Sequence, residues 1–110
     1  MPTLLQNLAD QSAGRREVER KALLAALQTA LQSLLRAGQR VWIFGSLIEQ
    51  ARFSDTSDID LALERRPSSF SDYWLQGELE LRLGRRVDLV LFAESRVQGK
   101  IQREGQLWIL

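Results

Sequence analysis

The stretch Phe44-Gly45-Ser46-Leu47-Ile48-Glu49-Gln50-Ala51-Arg52-Phe53-Ser54-Asp55-Thr56-Ser57-Asp58-Ile59-Asp60-Leu61-Ala62-Leu63 decides the fold. It is entered through Val41–Phe44, a β-branched and aromatic run that reads as a strand. Gly45-Ser46 ends that strand sharply, and Leu47–Gln50 can start a short helix. Phe53–Ser57 is polar and turn-rich, with Ser57 placed to bond the turn. Asp58–Leu63 then reads as a second strand. Asp58 and Asp60 stand two residues apart, so their carboxylates share one face, while Ile59, Leu61 and Leu63 take the other. Aspartate is disfavoured in strands, and two like charges side by side repel. A cation that neutralises them resolves the conflict, and magnesium held by carboxylates and substrate phosphates is the simplest such arrangement.

Downstream, Arg86–Phe92 is an apolar strand in which Asp88, Val90 and Phe92 alternate with Val87, Leu89 and Leu91. Laid beside the Asp58–Leu63 strand, it would bring a third carboxylate to the same place. Two divalent ions roughly 3.5–4 Å apart could then bridge the three, as in polymerase-type phosphoryl transfer. On this reading Asp58 and Asp60 serve both metal and triphosphate. Asp88 binds only the metal facing the nucleophile and could act as its base. Gly45 lets backbone approach a phosphate closely, the following turn presents unpaired N–H groups, and Ser46 adds a hydroxyl. Arg52 could reach a phosphate or remain solvated.

The remaining sequence frames this segment. Residues 1–14 form a short amphipathic N-terminal segment with Leu4, Leu5 and Leu8, interrupted by Gly14, and residues 15–110 make one domain. From Arg15 to Ala37 the chain reads as helix. Leu24, Leu27, Leu31, Leu34 and Leu35 lie on one face, and Gly38 follows as a C-cap. Phe70–Leu83 reads as a second helix, with Tyr73, Trp74, Leu79 and Leu83 available for burial and Gly84 as its cap. Glu94–Arg103 reads as a third helix ended by Gly105, and Leu107–Leu110 as a last strand. Trp42 and Phe44 are expected in the core, whereas Trp74 and Trp108 suit either core or a partner surface. Arg65-Arg66 and Arg85-Arg86 read as solvated pairs at strand ends, Arg85 or Arg86 being alternatively placed to neutralise Asp88. Lys100 and Arg103 share a helix face that reads as surface, with steering of phosphates or a partner as the alternative. The order after residue 40, β-α-β-α-β-α-β, implies an α/β (α+β) fold with a mixed sheet flanked by helices.

Composition narrows the chemistry. The 110 residues contain neither cysteine nor histidine. Disulfides, thiolate or imidazole metal sites and histidine-based catalysis are therefore excluded. Any metal must rest on carboxylates, which favour magnesium, manganese or calcium. Fifteen basic and fourteen acidic side chains leave a net charge of +1, so direct nucleic-acid binding is not expected. No apolar run has the length of a membrane span, and the Thr3–Leu8 stretch is too short and polar for a signal peptide. A cytoplasmic location is the expectation.

At Gly45, Ser46, Asp58, Asp60 and Asp88 the chain resembles the DNA polymerase β-like nucleotidyltransferase superfamily, and most of all its minimal nucleotidyltransferases. The resemblance spans roughly residues 15–110, and Ile101–Trp108 is similar to the usual end of these domains. Two departures stand out. Ile48-Glu49-Gln50-Ala51-Arg52 replaces the frequent Ala-Arg-Gly triplet after the turn, and Asp55-Thr56-Ser57 lacks the common proline.

The resemblance implies a polymerase β-like fold and ATP as substrate, with Mg2+ or Mn2+ as cofactor. It also implies a partner, a small helical HEPN-domain ribonuclease toxin. AMP would pass to a tyrosine of that toxin, making this chain the antitoxin of a type VII toxin–antitoxin pair, in a homo- or hetero-oligomer. The alternatives are a non-catalytic toxin-binding module and a small-molecule transferase of the aminoglycoside type. Polymerisation onto nucleic acid fits least, given the near-neutral charge.

Overall fold

The structure, a computed structural model, describes residues 3–110; Met1 and Pro2 of the N-terminal segment lie outside them. The protein is α+β, with a four-stranded mixed sheet and three α-helices. In chain order they are α1 (Leu4–Leu34), β1 (Arg40–Phe44), β2 (Ile59–Leu63), α2 (Asp72–Leu83), β3 (Val87–Leu91), α3 (Gln98–Glu104) and β4 (Gln106–Ile109). Single 3-10 turns follow β1 at Gly45–Ile48 and β3 at Phe92–Glu94. The strand order is β3-β2-β1-β4, with β1 antiparallel to both neighbours and β2 parallel to β3.

Strand alternation divides the sheet into two unlike faces. Val41 and Ile43 of β1 stand opposite Leu63 and Leu61 of β2. Together with Ile59 and Val87 they are sealed beneath Leu27 and Leu31 of α1 and Leu75 and Leu79 of α2. Trp108 packs against the same cluster. The other face carries Trp42, Phe44, Asp60, Asp88 and Val90, all partly or fully exposed, and the buried Ala62; α3 packs near β1 with Ile101 buried. Trp42 and Phe44 are therefore not in the core as expected: Phe44 lines a cleft on this face. Trp42 stacks on Phe92 with ring centroids 5.7 Å apart and donates from its indole to Glu64.

Several element boundaries differ from the sequence reading. Gly14 does not interrupt α1, which runs unbroken for 31 residues from a Thr3–Gln6 capping box. One glycine within a helix costs only about 1 kcal/mol, which the flanking helix formers absorb. The helix, about 46 Å long, projects beyond the body, and every residue from Thr3 to Gln11 is exposed. It stops at Leu34 rather than Ala37 because Leu35 turns extended and enters the core.

Ser71 caps α2, accepting from the Trp74 amide, and Gly84 closes it. The buried side chains of α2 are Leu75 and Leu79, whereas Tyr73 is 85% exposed and Trp74 leans on Phe70 at 4.7 Å. The last helix is shorter than expected because Phe92–Glu94 forms a separate turn. Among the described residues no helix is long and apolar enough to cross a membrane.

Candidate active site

The antiparallel pairing of β1 with β2 sets Phe44 opposite Asp60, and the parallel pairing of β2 with β3 sets Asp60 beside Asp88. Paired strands lie about 4.8 Å apart, so two carboxylates on the same face are near neighbours. Asp58, just before β2, is exposed, as is Asp88, while Asp60 is half-buried. None of the three makes an ion pair with a described residue. Desolvation, then the charges of Asp88 and Asp58, push the Asp60 carboxyl up to about 6, with Arg52 opposing. A half-buried carboxylate crowded by two others and left unpaired does not stabilise the fold, which makes this cluster the candidate site.

The turn after β1 completes the constellation. Gly45 has φ +76°, and a Cβ there would run into the Asp60 carboxylate. Glycine is thus required twice, for the left-handed backbone and for the close approach. The 3-10 turn that begins at Gly45 receives no side-chain cap from Phe44, so no side-chain acceptor serves its first N–H groups. Ser46 occupies the second position of this turn. From α1, Arg20 reaches across and donates to the Leu47 carbonyl at 3.1 Å while pairing with Glu17 at 2.7 Å. This pins the turn to the long helix.

Phe44, Gly45, Arg52 and Asp60 line one wall of a cleft of about 210 Å³, and Val97, Lys100, Ile101 and Glu104 of α3 line the other. Arg52 pairs with Glu49 at 3.0 Å and also faces this cleft. A larger cavity lies at the opposite end of the sheet, far from the carboxylates. In the small cleft backbone amides, a carboxylate and cations converge, whereas Glu64 is the sole acid lining the larger cavity.

The α3 residues are the part that sequence reading missed. Lys100 is exposed, as expected, and also lines the cleft that Asp60 lines. Positions 97, 100, 101 and 104 follow helical i, i+3, i+4, i+7 spacing, so the stripe was present as a signal but did not indicate what it faced. Arg85 differs from expectation too. Instead of answering Asp88, its Nη1 donates to the Ser54 and Ser57 carbonyls at 3.1 and 2.9 Å, and its guanidinium lies over Phe53. It thereby shapes the loop leading into Asp58. Ser57 does bond that turn, its Oγ accepting from the Ser54 amide at 2.8 Å.

The donor set suits a hard divalent cation. Three carboxylates offer oxygen ligands, and the Asp60 carboxyl is held up first by its burial and then by the charges of Asp88 and Asp58. Among the described residues, no group of three histidine, cysteine, aspartate or glutamate side chains forms a ready-made metal cage. Magnesium characteristically uses one or two carboxylates and takes its remaining ligands from water and substrate phosphate. Asp60 and Asp88, side by side in the register of β2 and β3, would supply that share.

No protein-family model matches the chain, and no curated protein matches it. Among solved structures, one described as the crystal structure of a toxin–antitoxin with AMP-PNP is similar, with a TM-score of 0.61 and 22% sequence identity. The similarity covers 78% of this chain and 73% of that one, so what the two share is the fold.

Proposed function

We propose that this chain is a divalent-cation-dependent nucleotidyltransferase that moves AMP from ATP to a hydroxyl group. The observation that carries this reading is the register of Asp60 against Asp88, with the Gly45 backbone pressed onto the Asp60 carboxylate. In this reading the uncapped amides at Gly45 and Ser46 bind the β- and γ-phosphates, and Arg52 and Lys100 add positive charge around the triphosphate. Magnesium or manganese, held by Asp58, Asp60 and Asp88, would neutralise the phosphate oxygens and polarise the α-phosphorus. Asp88 takes the proton from the acceptor hydroxyl. The hydroxyl oxygen bonds to the α-phosphorus, the bond from that phosphorus to the β-bridging oxygen breaks, and pyrophosphate leaves.

The cleft is below the usual size range for small-molecule pockets, roughly 300–1,000 Å³. A nucleotide would be only partly enclosed, leaving its α-phosphate open to a macromolecular acceptor. We therefore take the acceptor to be a tyrosine of a small helical HEPN-domain ribonuclease toxin, with this chain as its antitoxin. The toxin–antitoxin setting of the fold neighbour, and the ATP analogue bound there, support that assignment.

The test is to co-express the chain with its neighbouring helical protein and examine that protein by mass spectrometry for added AMP. Modification that needs ATP and a divalent cation, and that disappears in Asp58→Asn and Asp60→Asn, is expected. Modification that persists in both variants would refute the proposal.

A second reading is neutralisation by binding alone, for which the exposed Leu4, Leu5 and Leu8 on the projecting end of α1 offer a surface. An Asp58/Asp60/Asp88 triple variant that still neutralises the partner at normal expression would favour it.

A further inference from the structure

A cavity of about 600 Å³ lies between the end of α1 and the loop joining β2 to α2. Asp60 and Phe44 sit at the far end of the same strands. From Arg40 to Phe44 is about 13 Å of strand, so a ligand in this cavity would not occupy the carboxylate cleft. The volume is that of a small-molecule site.

Its lining is amphipathic. Leu34, Leu35, Pro67 and Phe70 provide apolar surface, and Arg36, Arg40, Arg65 and Arg66 surround it. Two of these guanidinium groups are committed. Arg40 pairs with Glu64 at 2.9 Å, and Arg66 reaches Asp72 at 3.3 Å and Glu94 at 3.4 Å. The side chains of Arg36 and Arg65 make neither a hydrogen bond nor an ion pair with any described residue. Each can therefore present its donor fork to a phosphate without breaking a contact. Glu64 is the sole acid among the lining residues and is already paired to Arg40. Ser68 and Ser69 add hydroxyls at the rim.

We infer that this cavity is a second, non-catalytic ligand site for a small phosphorylated molecule with a flat apolar body, the chemistry of a nucleoside monophosphate. The phosphate lies between Arg36 and Arg65, and the apolar body rests on Leu34, Pro67 and Phe70. The inference does not depend on the carboxylate cleft and would stand if that cleft proved inactive.

The test is a titration of the isotope-labelled full chain with AMP in EDTA, which keeps divalent ions from the carboxylates. Inorganic phosphate serves as the comparison ligand. Saturable amide shifts at residues 36–40 and 64–70 are expected, with a Kd of about 1 mM or tighter. An Arg36→Ser/Arg65→Ser double variant should weaken AMP by about tenfold or more, since charge-assisted bonds to phosphate are the strong ones. Ser69→Glu, on an exposed loop where unfolding is not at issue, should weaken it through charge repulsion. Phosphate should bind less tightly than AMP. The inference fails if shifts are confined to residues 44–46 and 97–104, or if no saturation occurs. It also fails if either variant binds AMP as the parent does, or if phosphate binds as tightly as AMP.

Discussion

The two faces of the sheet are made from the same strands, yet they answer to opposite physical demands. On the helix-covered face, Val41, Ile43, Ile59, Leu61 and Leu63 are each 0% exposed and belong to one apolar cluster. On the other face, alternating with them, stand Trp42, Phe44, Asp60 and Asp88, half-open and carrying charge that no described residue neutralises. The first face stabilises the domain by removing hydrocarbon from water. The second spends part of that stability to hold repelling carboxylates in register. Stability and chemistry are separated by a single residue along each strand.

Substitutions at neighbouring positions should therefore fail in different ways. The largest effect is expected at Asp60. If the proposed activity holds, Asp60→Asn lowers AMP transfer by on the order of 10³-fold, equivalent to about 4 kcal/mol of transition-state stabilisation, without unfolding the protein. A radiolabelled-ATP transfer assay beside a thermal melt would check this, and an active variant would break the comparison at its centre.

One residue further on, Leu61→Ala should do the reverse. It should cost about 2–5 kcal/mol in urea denaturation through the cavity it leaves, with transfer retained by the molecules that remain folded. Gly45→Ala touches both demands. The left-handed backbone alone costs about 1–2 kcal/mol, and the new methyl also displaces the Asp60 carboxylate, so stability and transfer should fall together.

The smallest effect is a dependence on pH. The Asp60 carboxyl is raised from 3.8 to about 6, so between those values the folded state holds a proton that the unfolded chain has released. Its stabilising contribution is complete below 3.8 and is lost as pH rises through about 6. Asp60→Asn should therefore melt at a higher temperature than the parent at pH 7.5, and the difference should vanish near pH 4. A difference independent of pH would assign the gain to something other than carboxylate repulsion. Magnesium added at pH 7.5 should raise the melting temperature of the parent and leave the variant little changed.

Much of this architecture could be read in advance because its determinants are local. The alternation across Ile59–Leu63 identified both faces of β2, although Asp58, expected on the strand, lies just before it, and the leucines of α1 marked the side it buries. Gly45 was legible as a break, although only the structure gives its second reason, the carboxylate beneath it. Trp42 and Tyr73 were misassigned because hydrophobicity alone does not say which face another element covers. Two facing aromatic rings, Trp42 and Phe92, can shield each other on an open face. Arg85 departs from the solvated pair expected because nothing in its own neighbourhood names its partners, the Ser54 and Ser57 carbonyls.

The sequence by itself determined the elements, the core-facing residues of the strands and the presence of three aspartates on strands or their edges. Those features depend on contacts within a few residues, where periodicity is a sufficient guide. The tertiary structure decided that β2 and β3 run parallel in the register that joins Asp60 to Asp88. It also decided that α3 folds over the end of β1 to wall the cleft, and that Arg20 reaches the Leu47 carbonyl. These contacts link segments distant along the chain. They are selected by how whole faces pack, which no local pattern encodes.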